Sequence, residues 1–314
     1  MATSIPKEGS EAKTIVVTGA FSYTGKYVTR ELLKRGFKIR TLTFHPERQH
    51  EFGREIEIFP YNFGRSDELR ESLRGASCLV NTYWIRFARG QSTFEGAVKN
   101  TFALIDAAKR AGIERIVHVS IANPSLDSPL GYYRGKAQLE TALKSSGLDY
   151  RILRPTVLFG PEDILINNIA WFVRHAPVFG IPGDGQYGVR PIYVGDMANL
   201  IVDAVRGMTD KVINAVGPET FTFEELVRLI SAQIGESVRV LHLPTGVAYF
   251  STRLAGLFLG DVVLTWQEYL GLTGNLLAPV GPSTGRTRLT EWLAQHRDLL
   301  GRRYASELAR HYAR

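Results

Sequence analysis

Apolar residues follow two rhythms over the first two hundred positions. Short runs rich in β-branched and aromatic side chains read as strands: Thr14–Val17, Lys38–Thr43, Ile56–Pro60, Ser77–Thr82, Arg115–Ser120 and Asp149–Leu153. Between several of them, apolar positions recur three and four apart, most clearly over Phe94–Ala111 and Tyr132–Ser145, and read as amphipathic helices. This alternation predicts an α/β fold with a doubly wound parallel sheet and right-handed crossovers. Beyond Arg154-Pro155 the pattern is mainly helical: Asp163–His175, Asp196–Arg206, Phe223–Ile234, Val247–Phe258, Leu289–Gln295 and Leu300–Tyr312. Prolines and glycines cluster at Phe179–Gly188, which reads as a mobile loop, and at Leu277–Gly285. The expected division is a disordered lead-in over 1–12 and a platform over 13–160, to which 190–216 returns. Segments 161–189 and 217–314 should then form a smaller, mainly helical cap over the carboxyl ends of the strands.

The first strand gives this platform its chemistry. TIVV runs into Thr18-Gly19-Ala20-Phe21-Ser22-Tyr23-Thr24-Gly25, and a helix with Val28, Leu32 and Leu33 on one face follows. Strand, tight glycine turn and helix make an anion site, because backbone N–H groups and the positive helix end converge there. Gly19 supplies the turn and Gly25 the close helix packing, while Ser22 stands where a middle glycine is usual. Phe21, Tyr23 and Thr24 complete the turn. In a βαβ context it reads as a dinucleotide site.

A second constellation follows the fifth strand. Ser120 ends RIVHVS, and Tyr132 and Lys136 lie four apart at the start of a helix, hence on one face. An ammonium beside a phenol lowers the phenol's pKa, and such a pair can pass a proton to or from a substrate oxygen while hydride moves at a nicotinamide. Tyr133 points elsewhere on this reading. A surface Tyr–Lys pair is the bland alternative.

TGAFSYTG at 18–25, Ser120 and the Tyr132/Lys136 pair together resemble the short-chain dehydrogenase/reductase superfamily. LRPTVLFGPED (153–163) and VRPIYVGDMA (189–198) make the likeness closer to its extended and atypical branches. Those branches hold nucleotide-sugar epimerases, reductases and the nucleotide-binding accessory subunit of respiratory complex I. The resemblance covers roughly residues 14–235. It implies a Rossmann-type fold in which Lys136 also holds the nicotinamide ribose, Pro155 and Val157 lie against the nicotinamide, and Ser120 polarises the substrate oxygen. It also implies that Asn62 and Phe63 sit beside the adenine, and that Asn81-Thr82-Tyr83-Trp84 passes near the cofactor ribose and the pocket mouth. Arg190 occupies the place of an arginine that grips a substrate diphosphate; a salt bridge to Asp196 is the alternative. Arg86, if it faces the pocket, favours an acidic or phosphorylated substrate; a surface role is the other reading.

After Thr43 no carboxylate stands where an NAD-specific site grips the ribose 2′-hydroxyl. His45 and Arg48 are placed instead to meet a 2′-phosphate, so NADP is favoured over NAD, solvated side chains being the alternative. Composition narrows the rest. With 44% hydrophobic and 22% charged residues in 314, the chain is that of an ordinary globular protein. One cysteine, Cys78, excludes an internal disulfide, and no Cys/His spacing suggests a metal. The net charge of +7 is concentrated in part at the C-terminal end, where seven arginines over 283–314 outnumber three carboxylates. No nucleic-acid motif accompanies that charge, which suits an anionic dinucleotide and a small-molecule substrate, an anionic one included. No apolar run reaches membrane-spanning length. The expectation is a cytoplasmic monomer or homodimer, an NAD(P)-dependent oxidoreductase or epimerase. The alternative is a non-catalytic NAD(P)H-binding redox sensor or assembly protein.

Overall fold

A computed structural model describes residues 12–312; the expected lead-in over 1–12 lies, Ala12 apart, outside the described residues. The first half runs β1 (Thr14–Thr18), α1 (Tyr23–Lys34), β2 (Lys38–Thr43), β3 (Ile56–Pro60), α2 (Ser66–Leu73), β4 (Cys78–Asn81), α3 (Phe94–Arg110), β5 (Arg115–Val119), α4 (Gly131–Lys144) and β6 (Asp149–Pro155). There follow β7 (Leu158–Phe159), α5 (Leu165–His175), β8 (Val178–Pro182), β9 (Gly188–Val189), β10 (Ile192–Tyr193), α6 (Val194–Arg206) and β11 (Val212–Ala215). The chain ends with β12 (Phe221–Thr222), α7 (Phe223–Gln233), β13 (Arg239–Leu243), α8 (Thr245–Leu259), α9 (Trp266–Thr273), α10 (Leu289–His296) and α11 (Glu307–Tyr312).

Seven strands form one sheet in the order β11-β6-β5-β4-β1-β2-β3, every neighbouring pair parallel. Chain direction across the sheet reverses between β1 and β4, and the crevice outside their carboxyl ends is where such sheets take a ligand. Successive side chains on a strand point to opposite faces. Ile15 and Val17 therefore join one buried cluster with Val28, Leu32, Ile201 and Val202. Val16 joins the other, with Leu79, Leu104, Ile116 and Leu143. Apolar layers on both faces explain why the strands read as near-continuous apolar runs.

A third core, containing Phe159, Ile166, Ile169, Leu226, Ile230 and Trp292, stands outside the sheet and holds α5, α7 and α10 together. Two sequence expectations change here. Phe179–Gly188 is not simply a loop: β8 pairs in parallel with β13 over five residues, because Val178, Phe179 and Ile181 are good strand formers and find a partner there. The helix expected over Leu300–Tyr312 forms only from Glu307. Gly301 has φ +66° and abuts the α5 backbone so closely that a Cβ would lie 2.5 Å from the Ala170 carbonyl carbon.

Candidate cofactor and substrate site

The turn after β1 is built by its own backbone. Gly19 has φ +66°, donates its N–H to the Leu42 carbonyl at 2.8 Å and accepts from the Ser22 N–H at 2.8 Å. Gly25 has no room for a side chain, since a Cβ would fall 2.0 Å from the Gly19 carbonyl oxygen. Ser22 is the N-cap of α1, its hydroxyl oxygen accepting the Gly25 N–H at 3.2 Å. Thr18 binds β1 to β4: its hydroxyl donates to Asn81 Oδ1 at 3.2 Å and accepts the Thr82 and Tyr83 N–H groups at 2.7 and 3.0 Å. A polar residue at each of two apolar strand ends was the sequence signal for this network.

A cleft of about 360 Å³ opens over this turn. Gly19, Phe21, Ser22, Tyr23, His45, Arg48, Thr82, Tyr83, Trp84 and Arg86 line it together, as do Lys26, Thr43, Tyr61 and Arg310, which the sequence did not single out. Lys26, Arg48, Arg86 and Arg310 face it; Lys26 is paired to Glu162 and Arg86 to carboxylates behind it, which leaves Arg48 and Arg310 as the cations set toward an anion. Other expected contacts lie elsewhere. Asn62 adopts a left-handed φ of +39° that turns its amide to Glu68 of α2, to which Nδ2 donates at 2.8 Å. Phe63 stacks on Tyr61 and packs on Tyr83 without lining the cleft. Asn81 is buried beneath, between Thr18 and His118. Thr24 and Pro155 line neither cavity.

The Ser/Tyr/Lys constellation departs from expectation in its contacts. Ser120 is buried, and its hydroxyl donates to Glu140 Oε1 at 2.7 Å; Arg154 holds the same carboxylate through two N–H bonds. It faces the helix layer and lines neither cavity. Lys136 is 2% exposed, donates to the Val119 carbonyl at 2.7 Å and lies 4.6 Å from the centroid of the Trp84 ring. Burial drives its pKa down to about 7, against the pull of Glu140. Tyr132 is ringed by Trp84, Phe94 and Tyr133, and burial, with Tyr133 and Glu268 adding to it, pushes its phenol well above the ordinary value. The expected ammonium-depressed phenol is therefore corrected: Trp84 covers the lysine, and desolvation governs both groups.

A second cavity, of about 490 Å³, opens between the segments that follow β5 and β6 and the helices α5, α8 and α9. Tyr132, Tyr133, Val157 and Ile121 line one side; Phe172, Phe179, Leu264 and Leu272 line another. Tyr23, Arg86 and Arg310 line both cavities and so mark where they meet. The Tyr23 hydroxyl and Asp163 Oδ2 are buried there without a hydrogen-bond partner. Asp163 Oδ1 accepts the Ile166 N–H at 2.7 Å at the start of α5. Burial raises this carboxyl to about 7, against the N–H bonds that favour its charge. Arg86 is ion-paired to Glu268 of α9 and Glu307 of α11. Arg190 lines neither of these cavities; its guanidinium donates to the carbonyls of Gly217, Gly281 and Pro279 at 2.9, 2.8 and 3.3 Å. The guanidinium is thus held by backbone carbonyls, away from both cavities, and the alternative salt bridge is not made: Asp196 accepts instead from the N–H groups of Arg286 and Thr287. With Arg86 neutralised and Arg190 removed, the expectation of an anionic substrate loses its residues. Among the described residues, no cluster of His, Cys, Asp and Glu is placed to hold a metal.

Residues 19–167 match a family described as NAD(P)H-binding. That span is an NAD(P)-binding domain of Rossmann type. The chain is 28% identical over 253 residues to the mitochondrial NADH dehydrogenase (ubiquinone) 1 alpha subcomplex subunit 9 of Arabidopsis thaliana, a match covering 76% of this chain and 63% of that protein. The chain therefore spans less than two thirds of that relative's length. Many solved structures share the fold, these two among them. Citrobacter sp. triphenylmethane reductase superposes with TM-score 0.73 at 17% identity, covering 91% of this chain and all of that one. Escherichia coli NADPH-dependent quinone oxidoreductase in complex with NADPH gives 0.71 at 20% identity, covering 90% and 99%.

Proposed function

We propose that this protein is an NADPH-dependent reductase for a carbonyl carried on a largely apolar body. The supporting observation is the meeting of two cavities at Tyr23, Arg86 and Arg310, one over the glycine turn and the other apolar, with the Tyr132 phenol in its wall. Gly19, Ser22 and the α1 N-terminus would hold the pyrophosphate, and His45 and Arg48 a ribose 2′-phosphate. The bound nicotinamide would supply hydride. Tyr132, kept protonated by burial, is suited to donate a proton to the carbonyl oxygen as hydride arrives at its carbon. A cavity of this size and lining accepts a drug-sized apolar molecule.

A second reading, a non-catalytic NAD(P)H-binding subunit, draws support from Lys136 lying under Trp84 and Ser120 facing Glu140. One experiment divides the two. Purified protein should bind NADPH by calorimetry, and a panel of apolar ketones and quinones should be scanned for its oxidation. Tyr132→Phe should leave NADPH affinity unchanged and lower turnover about 10²-fold. NADPH binding with no oxidation by any panel member transfers the assignment to the second reading; wild-type turnover in the variant keeps a reductase and removes Tyr132 as its proton donor.

A further inference from the structure

Helix α8 is apolar on two sides. Its small-residue face is turned inward: Ala248 and Gly256 are buried, and Ala248 and Thr252 line the cap cavity. Its other side carries Val247, Phe250, Leu254, Leu257 and Phe258, which are 51, 69, 45, 78 and 82% exposed. At helical spacing these five fall within an arc of about 100°. Large apolar side chains normally leave the solvent, and five on one stripe form a patch rather than scattered exposure. Trp266, at the first turn of α9, packs edge-on against Tyr249 of α8 and is also substantially exposed.

The chemistry beside the stripe indicates what covers it. The helix carries Arg253, exposed on the flank of the arc, and no carboxylate. The acid that follows, Asp261, is buried, accepting the N–H groups of Glu307 and Leu308 and the Tyr304 hydroxyl. A five-residue arc is small beside the roughly 20–30 residues a side of a stable protein interface. Leu257 and Phe258, the most exposed of the five, stand at the tip of the helix before the left-handed Gly260, where they are free to enter a soft medium. At fifteen residues α8 is too short to span a bilayer, for which about 20 are needed. A bulky apolar stripe with an arginine on one flank and no carboxylate fits a helix lying in the lipid interface, and an exposed tryptophan suits the same boundary.

We propose that α8 docks this protein on the surface of an anionic lipid bilayer, inserting Phe250, Leu254, Leu257 and Phe258 among the acyl chains. The helix that meets the lipid is then also a wall of the apolar cavity, through Ala248 and Thr252 on its opposite face.

Sedimentation with vesicles tests this with no cofactor or substrate present, so the result is independent of any reductase activity. The protein should bind vesicles of phosphatidylcholine mixed with phosphatidylglycerol, and bind more weakly to phosphatidylcholine alone. Leu257→Ser combined with Phe258→Ser should lower the partition coefficient ~10-fold or more, since each buried apolar side chain contributes to interfacial binding. Both positions are exposed, and an unchanged thermal midpoint would show that the fold is kept. Arg253→Gln should weaken binding to the mixed vesicles and leave binding to phosphatidylcholine unaltered. Absence of binding to the mixed vesicles, or equal binding by the double variant, overturns the proposal. A dimer in analytical ultracentrifugation that the double variant abolishes, without vesicle binding, assigns the stripe to a second copy and overturns it as well.

Discussion

Asp163 shows how one side chain can serve the helix it starts and the cavity it borders. One carboxyl oxygen accepts the Ile166 N–H; the other is buried unpaired near the equally unpaired Tyr23 hydroxyl. Its folded pKa, about 7, is raised from the ordinary 3.8. The folded protein therefore binds more protons than the unfolded chain between those values, and Asp163's contribution to stability is full below pH 4 and lost as pH rises through 7. Asp163→Asn keeps an acceptor for Ile166 and cannot ionise. Stability of Asp163→Asn relative to wild type, from urea midpoints, should rise between pH 4 and 7 and be flat above 8; a constant difference across the range would show that the carboxyl is not desolvated as the structure has it. Residue roles were the least legible part of the sequence. Spacing placed Tyr132 and Lys136 on one helix face, but the direction of the ammonium was decided by Trp84, forty-eight positions from Tyr132 and on another segment. For Arg190, Gly217, Pro279 and Gly281 supply the carbonyls, and nothing local to VRPIYV announces them.

Elements were far more legible where one local rhythm determined them. β2 and β3 have the boundaries expected from apolar runs, and α3 and α4 differ by a residue, because each is bounded by its own turn and amphipathic against the sheet. Legibility failed where pairing was distant: β8 depends on β13, some sixty positions away, and α9 has a mixed apolar pattern, its start marked by the Thr265/Glu268 capping box. Among the motifs, the glycine turn was read best, because backbone sterics alone dictate it. Its test follows from the contact at Gly25. In Gly25→Ala the added methyl meets the Gly19 carbonyl oxygen at 2.0 Å, and backbone on both sides must move. The variant should lose about 1–3 kcal/mol of stability, the usual cost of overpacking, and its NADPH affinity should fall at least tenfold as the turn's N–H groups are displaced. Calorimetry finding wild-type affinity would separate this turn from nucleotide binding.

At the scale of the whole molecule, two bodies of packing must be held in register: the sheet with its two apolar layers, and the cap core around Phe159, Ile166 and Trp292. Glu162, on the way into the cap, accepts from Lys26 Nζ at 2.5 Å and from the Tyr27 hydroxyl at 2.7 Å on α1. Arg86, beyond β4, binds α9 and α11 through Glu268 and Glu307. Its side chain is 26% exposed and that of Glu307 8%, so the cluster is only partly screened by water. In Arg86→Met the apolar stem is retained and the charge removed, which leaves two carboxylates facing each other with no cation between them. The fully buried limit for such a loss is roughly 3–5 kcal/mol, and partial exposure should reduce it here. Because both carboxylates belong to the C-terminal elements, the damage should be local. Hydrogen exchange should quicken in α9 and α11 while the amides of β1, β4 and β5 keep their protection. Adding Glu268→Gln, which removes one of the opposed charges, should restore part of it. Uniform loss of protection across the sheet, or none in α9 and α11, would show that Arg86 does not tie the cap to the nucleotide-binding platform.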